Sequence, residues 1–122
     1  MIKLPFRKLE VWKLGMEIAK EVYILTKNFP KEEIFGLVSQ MRRSSQSVPS
    51  NIAEGSQRST DKDFAHFVST ALGSLAELET QIELALEFNY LQQDRAEGLL
   101  QKTDQCAKML VSLRKRLLVN KI

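Results

Sequence analysis

One cysteine, one histidine, three prolines and five glycines are all that this 122-residue chain offers of the residues that most constrain folds and sites. A single cysteine, Cys106, excludes an internal disulfide and a multi-cysteine metal site, which fits a reducing compartment. A single histidine, His66, excludes an imidazole cluster for a metal centre. So little glycine and proline argues against a loop-rich β fold. No apolar run has the length needed to span a bilayer, so no membrane partner is expected. The opening residues MIKLPFRKLEVWK lack an uninterrupted apolar core and a small-residue cleavage site, so they do not read as a signal peptide. The expected location is cytoplasmic. The signatures GxGxxG, the P-loop and GxSxG are also missing. No enzyme activity, catalytic residue, cofactor or metal is expected.

Apolar residues at 43% and charged residues at 27% are the balance of one globular domain, expected over residues 1–122. The net charge of +3 is unevenly spread: residues 1–58 carry +4, residues 59–98 carry −6 and residues 99–122 carry +5. An acidic segment between two basic ones can complement them within one subunit or between subunits. The other reading is a solvated mixed surface.

Helical periodicity runs along the whole chain. Leu9, Trp12, Met16, Ala19, Tyr23 and Thr26 recur at alternating steps of three and four, a helical seam expected to face the core. Pro30 ends that helix, because it disfavours helical geometry at Phe29, and it suits the first turn of the next. The second helix is expected to turn Ile34, Leu37, Met41, Ser45, Val48 and Ile52 inward. Pro49 lies inside it, where a proline costs about 3 kcal/mol, so a kink without a break is expected. The hydroxyls of Ser44, Ser45, Ser47 and Ser50 are near enough to offer substitute hydrogen bonds, and Gly55 reads as the C-terminal stop. Thr60 with Asp63 resembles a capping box for the third helix. That helix has the cleanest period: Phe64, Val68, Ala71, Leu75, Leu78, Ile82 and Ala85. Tyr90 to Asp94 form a turn, and the fourth helix carries Leu99, Thr103, Cys106, Leu110, Leu113 and Leu117 inward. The expected architecture is an all-α, antiparallel up-down-up-down four-helix bundle. Residues 1–7 form an arm, and the helices cover about 8–28, 31–54, 61–89 and 95–119.

The first helix has apolar residues to spare. Val11, Leu14, Ile18, Val22 and Leu25 make a second stripe pointing largely away from the first. A bundle of this size cannot surround one of its own helices, so this stripe is expected to meet another subunit. The alternative is that the helix packs deeper, with the arm Ile2 to Phe6 folded over it.

Few residues carry chemistry. Asp63 and His66 stand at i, i+3, as in half of a di-iron carboxylate site, but no second pair exists. Glu79, Glu83 and Glu87 recur at i, i+4 without a histidine or nucleophile, and read as a solvated or inter-subunit stripe. Cys106 has no activating partner and reads as a small core residue. Cations are more prominent. Arg42 and Arg43 point about 100° apart and cannot both face the core. Arg58 follows the second helix. Lys13, Lys20 and Lys27 lie one heptad apart, and Lys108, Arg114, Lys115, Arg116 and Lys121 make the end of the fourth helix cationic. A helix dipole alone favours cations there. Multiplied in an oligomer, they could hold a nucleic-acid backbone by counterion release. No stacking-aromatic RNA signature accompanies them.

Five blocks carry a family resemblance. They are Leu9-Glu10-Val11-Trp12; Phe29-Pro30 with Phe35-Gly36-Leu37; Gln40-Met41-Arg42-Arg43; Val48-Pro49-Ser50-Asn51-Ile52-Ala53-Glu54-Gly55; and Gly73-Ser74 with Glu77-Leu78-Glu79. Over about residues 6–90 the chain resembles small bacterial four-helix-bundle proteins encoded by intervening sequences of 23S ribosomal RNA genes. It is similar as well to the accessory protein of diversity-generating retroelements. The resemblance implies a homopentameric ring. In the retroelement branch it implies a basic surface that binds nucleic acid, RNA or DNA, and a reverse transcriptase or another nucleic-acid protein. By position, Arg42, Arg43 and Arg58 match family cations. Pro49, Asn51, Glu54 and Gly55 belong to the signature, with Asn51 and Glu54 read as bonding the second helix to the third. The leading expectation is a non-enzymatic homo-oligomer that binds nucleic acid, or a protein associated with it, through Arg42, Arg43, Arg58, Lys108, Arg114, Lys115 and Arg116. The alternative is a structural scaffold or protein-partner module.

Overall fold

A threonine and an asparagine bracket the longest periodic stretch of the chain. In the computed structural model, which describes residues 5–119, the Thr60 hydroxyl accepts the Asp63 N–H at 3.1 Å and opens a helix over Asp61–Glu87. At the far end Asn89 takes a φ of 61°. The Asn89 N–H bonds the Leu86 carbonyl at 3.0 Å and the Tyr90 N–H bonds the Ala85 carbonyl at 2.9 Å. This pair of bonds closes the helix, with asparagine in the left-handed conformation that glycine usually supplies. The helices are α1 (Glu10–Thr26), α2 (Leu37–Ser56), α3 (Asp61–Glu87) and α4 (Gln93–Val119), with 3₁₀ turns at Phe6–Lys8 and Lys31–Glu33. Helix α1 packs on α2, α2 on α3, α3 on α4, and α4 closes back on α1. This is the expected all-α four-helix bundle, and the described residues contain no strand. Met1 to Leu4 of the arm, and Lys121, lie outside the described residues.

The core is built from the stripes expected of α3 and α4. Val68, Ala71, Leu75, Leu78, Ile82 and Ala85 are buried, with Phe64 half-buried beside them. Leu99, Thr103, Cys106 and Leu110 are buried opposite, and Leu113 and Leu117 pack at the margin. Helix α1 corrects the sequence reading. Val11, Ile18, Val22 and Leu25 are buried within the subunit and Leu14 packs against the same core, so this stripe is not an oligomer interface. The face read as inward is the outward one: Met16 and Tyr23 are each 46% exposed, and Trp12 and Ala19 are half-buried. Thr26 alone of that seam is buried. The reason is shape. Gly15 lies among the buried residues, and a β-carbon placed on it would sit 3.4 Å from both the Pro49 ring and the Val48 side chain. Glycine and compact aliphatics let α1 approach α2 closely, while Tyr and Trp have polar atoms better left near water. Phe6 stacks edge-on against Trp12, with ring centroids 5.3 Å apart, so the described part of the arm covers that ring.

Helix α2 differs from expectation at both ends. It begins at Leu37, because residues Lys31–Glu33 form a 3₁₀ turn and Gly36 adopts φ −112°, ψ −113°. The Glu33 carboxylate reaches forward to accept the Leu37 N–H at 3.3 Å. Ile34, expected inward, is exposed, and Phe35 is 95% exposed. The helix continues through Pro49, which is buried. Ser44 and Ser45 donate to the carbonyls of Met41 and Arg42, and Ser47 pairs with Ser74 of α3 at 2.8 Å. Gly55 is not a stop: the helix runs on to Ser56, and no described glycine has positive φ. A β-carbon on Gly55 would come within 2.6 Å of Phe67 Cβ and 2.9 Å of the Phe64 ring. The glycine is required by the close crossing of α2 and α3. Gly55→Ala should therefore destabilise the fold by about 1–3 kcal/mol through overpacking. Gly98→Ala, where an added β-carbon meets nothing within 4 Å, should stabilise it by about 0.5–1 kcal/mol. Urea midpoints of the two variants check the opposite signs.

Candidate nucleic-acid interface

The seven expected cations do not form one surface. Arg42 is half-buried and bound to α1: Nε donates to Thr26 Oγ1 at 3.0 Å, Nη2 donates to the Tyr23 carbonyl at 3.4 Å, and the guanidinium lies 4.1 Å from the Tyr23 ring centroid. It satisfies the carbonyl end of α1, where a cation also meets the negative end of the dipole. Arg43, a helical step away, is exposed and has no acidic partner among the described residues. Arg58 lies beyond the other end of α2, about 20 Å of helix away. It bridges to Glu54 at 2.7 Å and sits 4.6 Å from the Phe67 ring centroid. Lys108 pairs with Asp104 at 3.1 Å, one turn earlier on α4.

The end of α4 gathers what remains. Arg114 Nη1 donates to Ser69 Oγ of α3 at 3.2 Å. Lys115 and Arg116 are exposed, with no acidic partner among the described residues. Arg58 and Arg114 thus both touch the first third of α3, at Phe67 and Ser69, on opposite flanks of the helix. Asp61 and Asp63 of the first turn of α3 lie at the same end and dilute the positive field. Val111, Arg114, Lys115, Leu118 and Val119 line an open groove there, placing apolar surface beside the cations.

The polar signature residues are structural but not in the expected way. Asn51 Nδ2 donates to the Ser47 carbonyl and hydroxyl at 2.8 and 2.9 Å, within α2, and reaches α3 only through the Ser47–Ser74 pair. Glu54 pairs with Arg58, not with α3. Other polar groups also tie helices together. Ser44 donates to Gln81 Oε1 at 2.7 Å, Thr103 donates to Glu79 Oε2 at 2.8 Å, and Lys102 bridges Glu17 at 3.1 Å and Glu21 at 2.9 Å. The Glu21 and then the Glu17 hydrogen bonds hold the Lys102 ammonium above its usual pKa. At the loop end the Tyr90 hydroxyl donates to Glu33 at 2.8 Å, which raises the phenol pKa. Sequence reading missed both pairs, because each joins residues distant in the chain.

The remaining reactive groups are Cys106 and His66. Burial pushes the Cys106 thiol up to about 12, leaving negligible thiolate at neutral pH. His66 is exposed and stacks edge-on against Phe67. Among the described residues no group of three or more His, Cys, Asp or Glu is placed to hold a metal ion, and no helix is long and apolar enough to cross a membrane.

Over residues 7–112 the sequence matches the family described as 23S rRNA-intervening sequence protein. The fold is similar to the crystal structure of a protein of unknown function from the S23 ribosomal protein family of Bacteroides thetaiotaomicron VPI-5482. The two share 26% identity and a TM-score of 0.78, over 86% of this chain and 98% of that one. No curated protein matches the chain.

Two measurements separate structure from binding here. Arg42→Ala should lower stability by about 1–3 kcal/mol, through loss of its charged hydrogen bonds to Thr26 and Tyr23 and its packing on the Tyr23 ring, while Arg43→Ala should leave it unchanged; thermal melts check both. Cys106 should resist a thiol reagent at pH 8 in the native protein and react fully in denaturant, since both burial and a raised pKa withhold the thiolate.

Proposed function

The chain belongs to the 23S rRNA-intervening sequence protein family, and we propose that it acts as a non-enzymatic, homo-oligomeric bundle that binds RNA through the cationic end of α4. One observation carries the reading: Lys115 and Arg116 project from the last turns of α4 without acidic partners among the described residues, beside an Arg114 that Ser69 holds in place. Cations without acidic partners are the ones free to displace counterions from a phosphate backbone. Arg43 is also unpaired, but it stands near the opposite end of the bundle. Arg42 belongs to the fold, so the proposed surface is smaller than the sequence suggested. Repetition around an oligomer compensates, because each subunit adds its own cationic end to the summed field. The family resemblance implies five subunits, and a protein partner such as a reverse transcriptase would meet the same surface.

The non-enzymatic part of the reading is supported by how the reactive groups are used. Glu79 accepts a hydrogen bond from Thr103, and Cys106 is buried among apolar neighbours. A second reading, a protein-partner scaffold, is favoured by Phe35, Ile34 and Phe88, which are exposed at the end of the bundle where Tyr90 bonds Glu33, away from the α4 cations.

Fluorescence anisotropy with a single-stranded RNA across a salt series tests the leading reading. Affinity should fall as salt rises, and Lys115→Ala with Arg116→Ala should reduce the slope of log K against log salt by about 1.4 for each subunit whose α4 end contacts the RNA. Arg43→Ala should leave the slope unchanged. Binding insensitive to salt, or a slope that survives the double substitution, would remove RNA from the proposal and leave the scaffold reading.

A further inference from the structure

The outward face of α1 is more apolar than a solvated helix face requires. Exposed Met16 and Tyr23, with Ala19 and Pro49, line a shallow groove between α1 and α2. Lys13, Lys20 and Lys27 stand along the same outward side, all exposed and one heptad apart. Lys13 pairs with Glu10 at 3.0 Å and Lys27 lies over the Tyr23 ring, so the ridge keeps most of its positive charge. Because contacts run from α1 to α2, α3, α4 and back, α1 and α3 are diagonal. The outward side of α3 therefore looks the opposite way, and its charge is opposite too. Glu77, Glu83 and Glu87 are exposed there, with no ion-pair partner among the described residues. Near the middle of that side stands Gly73, exposed, where an added β-carbon would meet nothing within 4 Å. Glycine disfavours a helix relative to alanine, and no packing within the subunit requires it at this position.

We infer that copies of this chain join through these two faces, the apolar, lysine-flanked side of α1 in one copy against the glutamate-flanked side of α3 in the next. The inference rests on the homo-oligomer reading above and deepens it by naming both faces. The occupant is a second copy because the chain itself carries the complementary charge, on the side turned away. The contact is heterologous: each subunit offers one face of each kind, so the contacts propagate into a closed ring or an open filament and not an isologous dimer. Gly73 leaves room at backbone level for a large side chain such as Met16 or Tyr23 from the neighbour. The flanking charges set which faces meet more than how tightly they hold.

Light scattering coupled to gel filtration of the full chain at micromolar concentration tests this. The wild type should run as several subunits. Lys13→Glu with Lys20→Glu and Lys27→Glu should weaken association by about tenfold or more, as should Glu77→Lys with Glu83→Lys and Glu87→Lys. Each triple variant should keep the helicity of the wild type by circular dichroism. Mixing the two triples should restore association, because each then presents the charge the other lacks. A chain with all six changes should reassociate with itself. Gly73→Trp should yield folded single subunits. An oligomeric wild type whose triples and Gly73→Trp keep its size would overturn these faces and leave the oligomer reading standing. A wild type that runs as one subunit would overturn that reading, and this inference with it.

Discussion

Close approach of α2 to both of its neighbours sets the rest of the structure. On one side Gly15 of α1 faces Val48 and Pro49, and on the other Gly55 faces Phe64 and Phe67 of α3. The first has room for a β-carbon in ordinary van der Waals contact and no more, and the second leaves none. Once Gly15 turns inward, helical geometry brings Val11, Ile18 and Val22 with it, because they lie four residues before, three after and seven after. Met16 and Tyr23 are then forced outward. The rotation of one helix about its axis thus decides which apolar residues stabilise the subunit and which are left exposed.

Polar groups near these crossings are used to fix register. Ser44 with Gln81, Ser47 with Ser74, and Thr103 with Glu79 join helices in pairs, and among the described residues no buried side-chain nitrogen or oxygen lacks a hydrogen bond. Each such pair is costly to break, since a slip would leave a desolvated group without its partner. The same logic absorbs Arg42. A cation beside the end of α1 finds two acceptors and an aromatic face, and its positive charge is spent on the fold. Cations that face solvent escape this, and Lys115 and Arg116 are two such cations gathered at one end of the bundle.

Helices with one apolar stripe were legible in the sequence. In α3 the period and the Thr60 cap agree with the structure, while the helix stops at Glu87, two residues before the expected end at Asn89; α4 follows from the same pattern. Helix α1 was not legible in rotation, because two stripes satisfy the period equally and hydropathy does not choose between them. The discriminating residue was Gly15, whose meaning depends on Pro49 more than thirty residues away. Gly55 misled for the same reason: a glycine near a helix end looks like a stop until the phenylalanines of α3 are seen against it. In the candidate site, the divergence of Arg42 and Arg43 was readable from their adjacency. The partners of Arg42 were not, since Thr26 and Tyr23 belong to another helix.

The two proposed surfaces do not compete for the same side of the molecule. Joining copies through α1 and α3 would occupy the two diagonal faces and leave the outward sides of α2 and α4 open. On α3 the acidic positions Glu77, Glu83 and Glu87 lie in the C-terminal half, whereas Arg114 is held at Ser69, about 12 Å along the axis from Glu77. Contact in the acidic half would therefore leave the Arg114–Arg116 region of α4 uncovered, apart from that hydrogen bond, and would place one cationic end per subunit on the proposed assembly.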